Sequence, residues 1–349
     1  MRDLDSGARG ADFVAPMKYR GITYDTGVEY SLGESSRVLW TEDLMHREID
    51  TIQRELHGNA IVIYGGDIER VVAAGEYAAG VGLQVWLQPR PIDVSPEEAL
   101  DQLAQLAASS ERLRQRHGHI NIAIGCEVSL LLSGFIPGST YTERIEHLIR
   151  NEGEPAISAE SINAFLSSAV ACVRRDFAGS VTYGAGPWEW PAIDWSMFDF
   201  IGIDHYMDSG GPQAYARAIR DLARHGKPIL VLEFGCCTYE GAQALGGIAW
   251  DVVDYDAKPP RVRDGLIRSE RAQADAIGTT LDILDAESVA GAFVFTFIEP
   301  TQPHSIDRRF DLDMASYGIV KVHASPAATS QGWWEPKLAF YELARRFAR

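Results

Sequence analysis

At 349 residues, 46% hydrophobic and 23% charged, the chain has ordinary globular composition and enough length for one large core or two small ones. A formal charge of −17, from 32 basic against 49 acidic residues, repels phosphate backbones and anionic lipid surfaces, so nucleic acid and membranes are poor partners. Cys126, Cys172, Cys236 and Cys237 lack CxxC or Cys/His spacing, and a chain of this length needs no disulfide staples; they read as reduced thiols in a cytoplasmic protein.

In chain order, residues 1–16 read as a polar leader whose acidic residues and lack of an apolar centre do not fit a secretory signal. Nor does any run of about 18 apolar residues occur. From residue 17 to 349, short strand-like runs alternate with longer amphipathic stretches. The strand candidates are 20–24, 60–64, 83–88, 120–126, 181–184, 200–204, 228–233 and 292–297. Between them lie stretches such as EDLMHREIDTIQREL, PEEALDQLAQLAASSERLRQRH and PQAYARAIRDLARHG, with apolar residues at three-and-four spacing. EPKLAFYELARRFAR is the last helix. Eight such units predict an α/β fold of the (β/α)8 TIM-barrel type in a single domain. The stretch after the fifth strand, PWEWPAIDWSMFD, is too short for a full helix, and 240–264 reads as a long loop after the seventh. Both follow strands, on the face where barrel enzymes place their sites. A doubly wound sheet is the rival fold, but the first turn, TYDTGVEYS, has no GxGxxG.

Two acids end otherwise apolar strands. In NIAIGCE, strict alternation puts Ala123, Gly125 and Glu127 on one side and Ile122, Ile124 and Cys126 on the other; in ILVLEFG, Ile229, Val231 and Glu233 share a side. Both carboxylates are thus expected to point inward at the C-terminal ends of strands four and seven. Desolvation there is tolerable in a wet mouth and costly in a packed core. A single glutamate after a strand is commonly a solvated loop residue or a helix N-terminal acid. Two at these positions suit glycosidic cleavage, where one carboxyl protonates the leaving oxygen and the other attacks the anomeric carbon or activates water.

At these motifs the chain resembles the clan of retaining (β/α)8 glycoside hydrolases that carry an acid/base glutamate after strand four and a nucleophile glutamate after strand seven. Gly125-Cys126-Glu127 stands at the first position and Leu232-Glu233-Phe234-Gly235 at the second; DFIGIDHY, YGIVKV and WEPKLAFYELA are also similar. The resemblance spans about residues 18 to 349 and implies Glu127 as acid/base, Glu233 as nucleophile and Tyr206 as its hydrogen-bond partner. It also implies a retaining double displacement, with the carboxyl groups about 5–5.5 Å apart, and a raised pKa for Glu127. Cys126 departs from the clan's usual asparagine, whose contact with the sugar 2-hydroxyl a thiol makes only weakly.

Candidate sugar contacts are Tyr24 and Asp25 after strand one, Tyr64 after strand two and Gln88 and Arg90 after strand three. Cys126, Trp188, Asp204, His205, Phe297 and Glu299 complete the set. Phe297 stands where the clan usually has a tryptophan, while Asp67 opens a helix and fits a cap. Alternation turns His205 away from Asp204 and Tyr206 unless the strand end bulges. No cofactor or metal is implied. The rivals are a metal-dependent sugar isomerase or phosphodiesterase-type barrel, with Glu127, Asp204, His205, Glu233 and Glu299 as ligands, and a non-catalytic carbohydrate-binding barrel.

Overall fold

The computed structural model describes residues 17–37, 39–151, 157–323 and 332–349; the leader expected at 1–16 lies outside these. Eight parallel strands form the barrel: β1 Tyr19–Asp25, β2 Ala60–Gly65, β3 Gln84–Pro89, β4 Ile120–Cys126, β5 Val181–Gly184, β6 Ile201–Asp204, β7 Ile229–Phe234 and β8 Gly291–Val294. Seven neighbouring pairs are laddered, and the ring closes between β5 and β6 through the parallel bridge of Ala185 with Ile203. The fold is a single (β/α)8 barrel.

The outer layer consists of α1 Glu42–Arg54, α2 Ile68–Gly80, α3 Pro96–His117, α4 Val128–Leu131, α5 Tyr141–Arg150, α6 Ala159–Arg174, α7 Gly211–Ala223, α8 Glu270–Ala286 and α9 Leu338–Phe347. Local chemistry sets their ends. Ser95 and Glu98 make a reciprocal capping box at the start of α3, Pro96 occupies its first turn, and Gly118 ends it in the left-handed conformation. Asp67 caps α2 by accepting from the amides of Glu69 and Arg70, and so acts as the cap its position suggested.

Alternation sorts the strands into two cores. Ile22, Ile61, Ile63, Ile122, Ile201, Ile229 and Val231 face the helices. Tyr19, Val62, Trp86, Ala123, Leu230, Leu232 and Phe293 fill the barrel itself. Trp86 is its largest interior side chain, edge-on to Phe200 at 5.4 Å and Tyr19 at 6.2 Å. The close approach of β5 and β6 needs a small residue: a Cβ on Gly202 would meet the Tyr183 carbonyl at 2.3 Å.

The loops above the strands carry more structure than the sequence suggested. After β1, Glu29–Ser31 pairs with Glu34–Ser35 in a hairpin, and α5 inserts in the connection between β4 and α6. The stretch after β5 holds only two short 3-10 turns, as its length predicted. Within 240–264 lie two further 3-10 turns and a two-residue ladder of Val253–Asp254 with Arg261–Val262.

Candidate active site

Both glutamate-bearing strands are irregular where it matters. On β4, Ala123 pairs with Thr182 and Cys126 with Gly184, so β4 carries one residue more than β5 over this step. On β7, Val231 pairs with Ile203 and Glu233 with Asp204, so Leu232 is extra. These bulges correct the sequence reading. Ile229 and Val231 face the helices, and strict alternation would send Glu233 the same way; the extra residue turns it into the mouth. Cys126 likewise leaves the side it was assigned with Ile122 and Ile124, and its thiol reaches the site.

Glu127 sits just beyond β4 with φ 41°, ψ 47°, a left-handed conformation that disfavours side chains with a Cβ. Three hydrogen bonds hold it there. Its amide donates to the Gly184 carbonyl at 2.7 Å, the next amide, of Val128, to Tyr183 Oη at 2.8 Å, and that of Ser129 to Glu189 Oε1 at 3.0 Å. Glu189, fully buried, also accepts from Tyr183 Oη at 2.7 Å and from the Gly186 amide. It was not singled out from the sequence, where it stands between two more conspicuous tryptophans.

Glu233 is only 6% exposed. Arg90 Nη2 donates to its Oε1 and Tyr206 Oη to its Oε2 at 3.0 Å. Arg90 is itself held by Gln88 Oε1 at 2.6 Å and lies over the Tyr64 ring at 3.9 Å. The Cys126 thiol lies 3.4 Å from Asp204 Oδ2 and 3.8 Å from Glu233 Oε1. A single guanidinium thus serves several buried acids. Burial, followed by the charges of Glu233 and Glu189, pushes the Glu127 carboxyl well up from its ordinary value. Burial with Glu233 and Glu127 does the same to Asp204, and burial raises the Cys126 thiol.

The barrel therefore gathers Tyr64, Gln88, Arg90, Cys126, Glu127, Asp204, Tyr206 and Glu233 at one end. Asp25 also lies inward, its Oδ1 accepting from the Gly27 amide at 2.8 Å. Trp188 stands at the edge, donating to Ser129 Oγ at 3.0 Å. Four expected sugar contacts lie elsewhere. Tyr24 points to the helix layer and donates to Glu48 Oε2 at 2.6 Å, because alternation on β1 turns it outward. His205 stacks on Tyr215 at 3.9 Å behind the sheet, where burial lowers its pKa to about 4. Glu299 accepts from the amides of Tyr317 and Gly318, and so ties its own loop. Phe297 is fully buried between Tyr24 and Trp334 because β8 ends at Val294, and Phe295 takes the place at the mouth, stacked with Tyr64 at 6.0 Å.

The ligand set of the metal-dependent rival is not assembled, since His205 and Glu299 are turned away. The acids that do converge, Asp204 and Glu233 with Cys126, have the Arg90 guanidinium bound to Glu233 as their cation. Beside the other acid cluster, His304, Asp311 and Asp313, Arg268 and Lys337 supply the positive charge.

Fold and site together define a (β/α)8 barrel with two glutamates converging at the C-terminal ends of β4 and β7. No known family and no curated protein matches the sequence. Solved structures match the fold over nearly its whole length. A GH113 β-1,4-mannanase in complex superposes with TM-score 0.61 at 14% identity, over 95% of this chain and 99% of its own. The GH113 β-mannanase AaManA from Alicyclobacillus acidocaldarius gives 0.59 at 16%, over 95% and 97%. β-Glucuronidase 2 of Bacteroides uniformis gives 0.58 at 16%, over 95% of this chain and 34% of its own. At such identities the likeness carries the fold.

Proposed function

We propose that the chain is a retaining glycoside hydrolase, or a transglycosylating relative, that cleaves an O-glycosidic bond by double displacement. The observation that carries this reading is the contrast between two converging carboxyls: Glu127 desolvated, with its pKa raised, and Glu233 held by a guanidinium and a phenol. In the first step a Glu233 oxygen attacks the anomeric carbon while the bond to the leaving oxygen breaks, and Glu127 gives that oxygen its proton. In the second, Glu127 takes a proton from water, whose oxygen attacks the same carbon and releases Glu233. Tyr206 and Arg90 orient the nucleophile. The glycoside hydrolases among the structures of like fold support the choice of chemistry. Residues 17–349 form the catalytic unit in this reading, and four cysteines without a disulfide support a cytoplasmic setting.

A panel of aryl glycosides tests the proposal. Wild type is expected to turn over at least one of them, and Glu233→Ala to lose that turnover by several orders of magnitude. Turnover that the variant keeps unchanged refutes the nucleophile.

A further inference from the structure

An enzyme that cuts inside a polymer needs a trench, because the chain must leave the site in both directions; one that removes a terminal sugar needs only a pocket. At this barrel the loops meet across the mouth on two sides. On the first, the β1 hairpin reaches over the ends of β2 and β3 to the insertion after β4, where the rings of Tyr30 and Tyr141 lie 5.4 Å apart. Tyr30 Oη also accepts from Arg90 Nη1 at 3.3 Å, so this bridge stands directly over the guanidinium that holds Glu233.

On the second side, Trp250 in the loop after β7 packs against two apolar clusters at once. One contains Cys126, Leu130 and Leu131 at the end of β4, and the other Tyr239 and Tyr317. The same loop is pinned to both neighbouring loops. Asp208, after β6, makes an antiparallel bridge with Leu245; the Gly246 carbonyl accepts from Tyr317 Oη at 2.8 Å; and Tyr255 Oη accepts from Gln302 at 2.6 Å. The two bridges converge on the β4 connection from opposite directions, with Glu127 and Glu233 between them. A chain that continued past the reacting sugar on the β1 side would have to displace the contacting rings of Tyr30 and Tyr141.

We propose that the site is a blind pocket that admits the terminal sugar of an oligosaccharide, or the sugar of a small glycoside, and excludes internal positions of a polymer. The inference rests on the glycosidase reading. Its test uses the sugar whose aryl glycoside the enzyme turns over, presented as two oligosaccharides of equal length and linkage, one with a free non-reducing end and one capped there with a bulky acetal. The free chain should release single sugars stepwise from that end, and the capped chain should be cleaved at least about 100-fold more slowly. A Tyr30→Ala, Tyr141→Ala double variant, which removes the contacting pair of rings, should cleave the capped chain faster than wild type does. Capped and free chains cut equally well, with internal fragments appearing first, overturn the pocket and leave the glycosidase standing. Failure to turn over any sugar, aryl glycosides included, overturns both.

Discussion

Glu127 concentrates the strain and the chemistry of the site in one residue. Its left-handed backbone costs of order 1–3 kcal/mol, and its carboxyl is desolvated beside two other acids. A folded-state pKa raised above the unfolded one contributes stability that is present at low pH and lost as pH rises through the folded value. Wild type should therefore lose stability from the ordinary carboxylate range upward, with Glu127 and Asp204 sharing the slope. In Glu127→Gln the Glu127 part disappears, which urea titrations from acidic to mildly alkaline pH will read. The same variant should lose the alkaline limb of kcat/KM and about 10²–10⁴-fold in rate on glycosides with poor leaving groups. Much of this residue's importance was legible in NIAIGCE, but its backbone conformation was not, because nothing local marks a glutamate for the left-handed region. Tyr24 shows the opposite failure: an aromatic next to a strand end looks like a sugar platform, and only the strand's phase reveals the outward turn.

Among the elements, the bulges on β4 and β7 decide which side chains meet. Period-two alternation holds on β1, where Tyr24 shares the outward side of Ile22, and breaks on the two strands that carry the glutamates, where an inserted residue sends Cys126 and Glu233 to the side opposite the one alternation gives. On β8 the early end at Val294 exchanged Phe297 for Phe295 in the same way. The connection after β5 matters through Glu189, whose three buried donors hold the turn that follows β4 and whose charge adds to the raised pKa of Glu127. Glu189→Gln keeps the shape of that side chain and removes the charge. The alkaline limb of the kcat/KM profile should then move to lower pH, with the fold retained by circular dichroism; an unmoved limb would make Glu189 a purely structural acid.

At the scale of the whole molecule, eight strand-and-helix alternations were readable because each strand is apolar and each helix amphipathic, and the barrel is the architecture that buries both. The rim was less readable. The β1 hairpin is built from polar residues, and α5 lies in a connection where only α6 stood out, so contacts such as Tyr30 with Tyr141 arise from tertiary placement alone. The core around Trp86 fills the barrel beneath the strand ends that carry Arg90, Glu127 and Glu233. The most direct test of that arrangement is to trap the reaction at its midpoint. Incubation with a 2-deoxy-2-fluoro glycoside bearing a good leaving group slows the second displacement, and peptide mass mapping then locates the bound sugar. The account predicts one sugar per chain esterified to Glu233; a label on another residue, or turnover that yields the inverted anomer with no trapped sugar, would contradict it.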